Sequence, residues 1–421
     1  MSYFVADAVN PFSPASSVAR GLTVRTLVCM FLLLPVLLAA VSQAQGSGSG
    51  KALSDSQEAS ETQGYSETQE PVETQGPAKT QGSTQMQGPL ETQQPPEGQE
   101  PSAAQPPATN QAQSMDQALV DRFAALNDQV LELLGQGRFE EALVPAKESY
   151  DLYTAVAEPD STELAQAMNN LAWIYTMAGR PAEALPLYEQ ALSILEWRAG
   201  PTHLDVAVIL NAMGNVLDSL GETERALESL ERALSIREAQ LGEQDALVAE
   251  TLNDLGWVQS TLHRHGDSAA SWGRAVAIWD SAQGLDPQIR ATALNNLGFA
   301  LAEDGQPDKA VAAYRRALDE QAMLLGEGHP ETINIMNNLA EVLTDLGQWV
   351  EAEELFRKGM GSLEQSGMGR SDLAATIINN QAELLSARAR YGEAEGLILK
   401  GLDLREELYG KESPEYGVAL N

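Results

Sequence analysis

The sequence predicts an all-α solenoid of antiparallel helix pairs over residues 116–421, with seven pairs and the start of an eighth. Within each half of the repeating unit, apolar residues recur at intervals of three and four, which indicates two amphipathic helices. A fixed period in this range is typical of stacked repeats. The period is 42 residues, without insertion or deletion, and is marked by Asn127, Asn169, Asn211, Asn253, Asn295, Asn337, Asn379 and Asn421.

The other positions of the unit predict how its two helices meet. Ten residues after the asparagine, a glycine is expected to end the first helix in a left-handed conformation. It is replaced by His263 in the fourth unit and Ala389 in the seventh, and Ser268 replaces the alanine at position 15, so we expect these units to be weaker. Small residues at positions 3, 15 and 22 allow close approach of the helices. The large residues at position 19 are expected to fill the space between them: Tyr188, Leu230, Trp272, Tyr314, Phe356 and Ile398.

The order of these residues is similar to that of the tetratricopeptide repeat. It is clearest in the second unit, in Leu171-Ala172-Trp173-Ile174-Tyr175, Ala184, Tyr188 and Ala191. The family's usual period is about 34 residues, and the longer unit here adds about one turn to each helix. The 42-residue form, with Asn-Asn-Leu and with His329-Pro330 opening a unit, resembles the kinesin light chain type. The resemblance implies a superhelical array whose first helices line a concave groove.

The N-terminus has the features of an export signal. Arg20 and Arg25 precede the apolar run Leu27–Val41, and small residues follow, with cleavage expected after Ala44. The apolar run has 15 residues, fewer than the about 20 that are usual in a membrane span. A cleaved signal over residues 1–44 is therefore favoured, and an uncleaved anchor is the alternative. We expect a periplasmic or secreted protein with no membrane contact after cleavage.

Residues 45–115 are predicted to form a disordered linker. They are rich in Gln, Glu, Thr and Pro, and Thr-Gln recurs every six residues from Thr62 to Thr80. Large apolar side chains are scarce, so little burial is available to offset the entropy of ordering the chain. A repeated recognition motif is the alternative interpretation.

Composition argues against several classes of function. The formal net charge is −34, and such an acidic protein repels phosphate backbones, so nucleic acid is a poor partner. Cys29, the one cysteine, lies within the expected signal, so the mature chain would have no thiol nucleophile and no disulfide. We expect no catalytic residues, no cofactor and no metal site, and we interpret His203 and His329 as structural. His263 and His265 are the weak candidates for a metal.

A binding surface is predicted on the groove face of the first helices. Its positions, counted from the asparagine, are −3, 1, 4 and 8, and none of them carries Lys or Arg in any unit. Amides, acids and aromatic rings there would suit an extended peptide that is basic or polar. The predicted residues are Asn170, Trp173, Asn215, Glu250, Asp254, Trp257, Asn296, Phe299, Asn338, Glu341, Asn380 and Glu383.

Two alternatives to this site remain open. The repeated asparagines could instead form hydrogen bonds between neighbouring first helices, which would explain why a mediocre helix former recurs in phase. The aromatic residues could pack between repeats rather than anchor a ligand.

At the level of function, we expect an exported scaffold that binds a protein or peptide. The alternative is the regulatory, substrate-recognition portion of a larger enzyme, such as a caspase-like (CHAT) peptidase whose catalytic domain follows Asn421. That residue falls at the asparagine position of an eighth unit, and no polar capping helix precedes it, as expected of a fragment. A third hypothesis is a rod that self-associates through this uncapped repeat.

Overall fold

The structure is a computed structural model that describes residues 109–281 and 287–419. Within these ranges every regular element is an α-helix, which confirms the predicted fold class. The helices are α1 (Thr109–Gly135), α2 (Phe139–Thr154), α3 (Thr162–Met177), α4 (Pro181–Arg198), α5 (Leu204–Ser219), α6 (Thr223–Leu241), α7 (Ala246–Thr261), α8 (His265–Ser281), α9 (Pro287–Glu303), α10 (Pro307–Leu325), α11 (Pro330–Asp345), α12 (Trp349–Gln365), α13 (Asp372–Ala387), α14 (Tyr391–Tyr409) and α15 (Pro414–Ala419).

Consecutive helices pair into repeats 1 to 7, and α15 begins an eighth first helix. From α3 onward each odd-numbered helix packs on the even-numbered helix that follows it, and each even-numbered helix packs on the next odd-numbered one. Helix α1 contacts α2 through the rings of Phe123 and Tyr153. First helices of neighbouring repeats also contact each other more closely than second helices do. This arrangement puts the first helices on the inner side of the stack.

The expected N-terminal segments lie largely outside the described residues. These include the signal, its cleavage after Ala44 and the linker up to residue 108, as well as Asn421. Helix α1 begins at Thr109, upstream of residue 116, so the end of the expected linker is helical. Of the described residues, those from Leu119 onward belong to one compact unit, and those up to Ala118 belong to another. In the described part, no helix is long and apolar enough to span a membrane.

The turn inside each repeat follows from one left-handed residue. Gly179, for example, has φ 71°, and the backbone N–H of Arg180 after it donates to the carbonyl of Tyr175 at 2.9 Å. This bond closes the first helix by using one of its otherwise unpaired carbonyl groups. The glycines at the equivalent position also have positive φ, as predicted: Gly137, Gly221, Gly305 and Gly347.

His263 and Ala389 keep the same turn without glycine. Both have φ 56°, a conformation in which a Cβ atom crowds the backbone. The bond that closes the helix is retained in both, from Arg264 to Gln259 and from Arg390 to Leu385, each at 2.8 Å. The departures predicted to weaken repeats 4 and 7 therefore leave the fold unchanged and add local strain.

Small residues on the first helix meet a large side chain on the second. A Cβ atom added to Gly256 would lie 2.7 Å from the Trp272 ring, and one added to Gly298 would lie 2.8 Å from the Tyr314 ring. Neither ring could stay in place beside an alanine. In repeat 4, Ser268 at the alanine position is fully buried, and its hydroxyl donates to the carbonyl of Gly256 at 2.7 Å. The predicted contact between small and large residues is thus present, and the extra hydroxyl is satisfied.

The large residue of repeat 7 differs from its counterparts. Ile398 is 47% exposed, whereas Tyr188, Leu230, Trp272, Tyr314 and Phe356 are buried. In the earlier repeats the next first helix also packs over this region, while α15 has six residues in the described range.

Side-chain caps begin most of the first helices from α3 onward. The Ser161 hydroxyl accepts a hydrogen bond from the N–H of Leu164 at 3.1 Å, and Asp245 accepts one from Leu247 at 2.8 Å. His203 and His329 serve the same purpose, because each Nδ1 accepts a bond from the N–H two residues later, at 3.2 and 3.3 Å. These bonds satisfy helix N–H groups that would otherwise lack a partner. They give both histidines the structural role predicted for them.

The strained turn of repeat 7 yields the first testable prediction. Ala389→Gly should raise the free energy of unfolding by about 0.5–1 kcal/mol, because glycine adopts this conformation without crowding. Gly347→Ala, at the equivalent turn of repeat 6, should lower stability by a similar amount. Urea denaturation followed by circular dichroism measures both changes. A loss of stability in the glycine variant would contradict the assignment of strain.

Candidate functional site

The predicted site residues lie on the first helices at different depths. Asn170, Asp254 and Asn296 are buried, and Asn296 is only 1% exposed. Glu383 is exposed. The others are half-buried: Trp173, Asn215, Glu250, Trp257, Phe299, Asn338, Glu341 and Asn380. A partner that lies on this surface would therefore reach the half-buried side chains and Glu383.

The asparagines form hydrogen bonds from one repeat to the next. Asn338 Nδ2 donates to Asn295 Oδ1 at 3.1 Å, and Asn380 Nδ2 donates to Asn337 Oδ1 at 3.0 Å. Each bond joins the residue after the repeated asparagine to the asparagine of the preceding repeat. Because the amide side chains connect the first helices in this way, this row of asparagines, the asparagine ladder, contributes to packing between repeats.

The aromatic residues of the surface pack against other parts of the array. The Trp257 indole N–H donates to Asp218 Oδ2 in the preceding repeat at 3.1 Å. The Phe299 ring stands nearly perpendicular to the His265 ring, with their centroids 6.1 Å apart. Trp173 packs against the core at the N-terminal end. All three keep part of their rings accessible, so packing and ligand contact are compatible at these positions.

A first group of acids lies at the junction of repeats 3 and 4. Asp254 Oδ2 accepts hydrogen bonds from Asn211 Nδ2 at 2.7 Å and Asn215 Nδ2 at 3.0 Å. Burial raises the pKa of Asp254 to about 6, and it raises the pKa of Glu250 to about 7 although the Arg237 charge opposes the shift. Arg237, a buried cation on α6 that lies behind this group, was not among the predicted site residues. Its signal was a charged residue at a position where repeats 1, 2, 4 and 6 place Tyr, Leu, Trp and Leu.

A second group of acids lines a concavity on repeats 6 and 7. Burial raises the pKa of Glu341 to about 8, and the charges of Glu383, Asp345 and Glu303 raise it further. Asp345 and Glu383 are exposed residues, but partial desolvation of their carboxyl groups by the surrounding protein raises the pKa of both, and the charge of Asp345 adds to the shift of Glu383. The concavity has a volume of about 340 Å³. It is lined by Glu341, Thr344, Asp345, Gly347, Trp349, Asn380, Glu383 and Ala387.

The cations of the array lie mainly on the second helices and in the loops. Arg225 pairs with Glu189 at 3.0 Å, and Arg274 pairs with Glu238 at 2.7 Å, each across two neighbouring second helices. Such pairs balance part of the acidic charge of the outer surface, while Glu341, Asp345 and Glu383 are the charged groups around the concavity. The inner face therefore offers carboxylates and aromatic rings to a cationic or hydrogen-bonding partner.

The two neighbouring histidines show no metal geometry. The rings of His263 and His265 meet edge to face, with centroids 5.7 Å apart. Across residues 109–281 and 287–419, His, Cys, Asp and Glu side chains form no group of three or more that could hold a metal ion.

Comparison with known proteins identifies the repeat. The family described as tetratricopeptide repeat matches residues 122–196, 205–281, 289–365 and 374–415. No curated protein matches the chain.

Similar solved structures share the repeat fold. BtubC (BKLC) from P. vanneervenii is 27% identical over 52% of this chain and 89% of its own, with a TM-score of 0.45. A kinesin light chain candidate from Podosopora anserina is 21% identical over 49% of this chain and 98% of its own, with a TM-score of 0.44. The apo form of RapI is 12% identical over 68% of this chain and 98% of its own, with a TM-score of 0.50.

The buried acids predict that stability rises as the pH falls from about 8.5 to about 6. Asp254, Glu250 and Glu341 have folded-state pKa values of about 6, 7 and 8, above those of about 4 in an unfolded chain. The folded state therefore binds more protons in this window, and stability is lost as the pH rises through these values. The acids with lowered pKa values, such as Glu183, titrate below this range.

Melting curves at the two pH values measure the effect, and Glu341→Gln provides the control. The variant should be more stable than the natural protein at the higher pH and should show a smaller difference between the two conditions. A melting midpoint that falls on acidification to about pH 6 would show that the buried carboxyl groups do not govern stability.

Proposed function

Because the chain belongs to the tetratricopeptide repeat family, we propose that it is a scaffold that binds an extended protein segment on the inner face of its first helices. It is a member of the 42-residue type, which is similar to kinesin light chains. Repeats of this family generally serve protein–protein interaction, so binding rather than catalysis is the role proposed for it.

The observation that carries the proposal is the separation of charge between the two sides of the array. Outer cations such as Arg225 and Arg274 are paired with acids of the neighbouring repeat. Glu341, Asp345 and Glu383 share one concavity without a cation in its lining. A partner with Lys or Arg side chains would supply the missing charge. Burial is the main cause of the raised pKa of Glu341, and a positive charge would oppose the further rise that the neighbouring acids cause.

The half-buried aromatic residues favour a segment with apolar side chains as well. Trp173, Trp257 and Phe299 lie on α3, α7 and α9, whereas the acidic concavity lies on α11 to α13. The proposed ligand is therefore an extended segment with apolar residues over repeats 2 to 5 and basic residues over repeats 6 and 7. Trp349, 38% exposed at the concavity, adds a ring on which a guanidinium group can stack.

The asparagine ladder has a supporting part in this proposal. The amide of Asn296 is nearly inaccessible, and Asn338 and Asn380 bond to the preceding repeat. They fix the spacing between first helices and hence the spacing of the acids and rings that a ligand would meet. Asn338 and Asn380 are half-buried, so they can also offer amide groups to a peptide backbone.

The proposed site of action is outside the cytoplasm. The positive residues Arg20 and Arg25, the apolar run Leu27–Val41 and the cleavage site after Ala44 support export. The Gln- and Pro-rich segment that follows would act as a tether between the signal and the repeats.

A charge-neutralising variant tests the binding face. Glu341→Gln, Asp345→Asn and Glu383→Gln together should weaken binding of a labelled peptide of alternating Lys and Leu by about tenfold, since each exposed charge pair contributes about 0.2–1 kcal/mol. Fluorescence anisotropy measures the affinity, and added salt should weaken binding to the natural protein more than to the variant.

The matched control removes three exposed charges from the outer surface of α6: Glu224→Gln, Glu228→Gln and Glu231→Gln. It changes net charge by the same amount and should leave the affinity close to that of the natural protein. Equal losses in both variants would mean that the peptide responds to overall charge and that the concavity is not its site.

Export has a separate test. When the full-length chain is produced in a bacterium with a functional secretory pathway, the exported protein should begin at Gln45. N-terminal sequencing of material from the periplasm or medium identifies the cleavage site, and Ala44→Arg should block processing. Retention of the natural chain in the cytoplasm at full length would contradict the proposal.

A further inference from the structure

One buried position varies in chemistry from repeat to repeat. It lies 26 residues after the repeated asparagine, on the second helix where that helix meets the next repeat. In contrast, the position 15 residues after the asparagine is Ala or Ser in every described repeat. Close packing alone would need only apolar side chains at a buried position, so the polar side chains that occur at this one call for another explanation. In repeats 1 to 6 the residues are Tyr153, Leu195, Arg237, Trp279, Gln321 and Leu363, all of them buried, and in repeat 7 the residue is Arg405, which is half-buried.

Arg237 makes contacts that are specific to its own junction. Its Nη1 donates to the Leu247 carbonyl at 2.8 Å and to Thr251 Oγ1 at 2.6 Å, both on α7 of the next repeat. It also donates to Asn211 Oδ1 on α5 at 3.3 Å. Arg237 is only 5% exposed, so these acceptors replace the water that its guanidinium group loses on folding.

Asp254 completes a buried network at the same junction. Asn211 receives a hydrogen bond from Arg237 and donates one to Asp254, so a single amide connects the cation to the carboxylate. In repeats 2, 5, 6 and 7 the residue at the Asp254 position is asparagine. The Arg and the Asp therefore replace their neutral counterparts at one junction together.

Gln321 makes a different bond at the junction of repeats 5 and 6. Its Nε2 donates to Glu331 Oε2 at 2.8 Å, and Glu331 stands six residues before the repeated asparagine. At the Arg237 junction that place is held by Leu247, which offers only its backbone carbonyl. The two polar residues thus recognise different partners on the helices that follow them.

We propose that the buried residue at this position is a register key, which determines which second helix packs on which first helix. If α6 were to pack on α9 instead of α7, Arg237 would meet Ile289, Ala293 and Asn296 at the equivalent positions. A buried cation without an acid is strongly destabilising. The key excludes this mispairing, which repeat arrays otherwise risk within one chain or between two chains.

The double variant Arg237→Leu with Asp254→Asn removes the Arg237 key and replaces it with a pair of residues that already occurs at another junction of the array. Leu363 and Asn380 already occupy the same two positions between α12 and α13, so the combination packs in this fold. Arg237→Leu alone leaves Asp254 buried without the cation. The control is Ser268→Ala, which restores the usual alanine inside repeat 4 and leaves the junction unchanged.

The experiment uses the full chain, melted and then refolded from urea, with oligomers measured by size exclusion and light scattering. Arg237→Leu should lower the melting midpoint by about 5 °C, and addition of Asp254→Asn should restore it. The refolded double variant should nevertheless contain several times more dimer and higher oligomer than the natural chain, while Ser268→Ala refolds as a monomer. Clean monomeric refolding of the double variant, or an unchanged midpoint in Arg237→Leu, would overturn the proposal.

Discussion

Close contact between a small residue on the first helix and a large one on the second holds repeats 2 to 6 together. At Gly256 the Trp272 ring occupies the space that a Cβ atom would need, and the same is true of Gly298 and Tyr314. This contact sets the distance between the helices of a repeat, and the left-handed turn sets their direction. Once both are fixed, the remaining apolar faces can be buried only against neighbouring repeats. The amide bonds between first helices depend on that stacking.

Charge is distributed according to the same geometry. Second helices of adjacent repeats lie close enough for long arginine side chains to reach acids across the junction, as Arg225 reaches Glu189. The inner face is built from short amide and carboxylate side chains, and burial there raises the pKa of Glu341 and Glu250. Carboxyl groups that are costly to ionise contribute little to folding. Their presence on this face is the main physical reason to infer a ligand that carries positive charge.

The sequence predicted the helices, the turns and the contacts between small and large residues because each depends on one or two residues in a fixed phase. The glycines at positive φ and the ring of Trp272 are examples. It did not predict the depth of the candidate site. A helical wheel gives the direction of Asn296 but not how closely the neighbouring helix covers it. Arg237 was missed because its buried state results from contacts with Asn211 and Thr251, which come from two other helices.

Neighbouring repeats are joined by bonds on both faces of the array, and the bonds of the two faces respond differently to salt. The outer row consists of exposed ion pairs such as Arg274 with Glu238, and dissolved ions screen such pairs. The inner row consists largely of uncharged amide bonds such as Asn380 with Asn337, which ions leave nearly unaffected. Ionic strength therefore acts on one side of the stack more than on the other. In concentrated salt the outer edge of the array therefore becomes more flexible, while its inner edge keeps its stiffness.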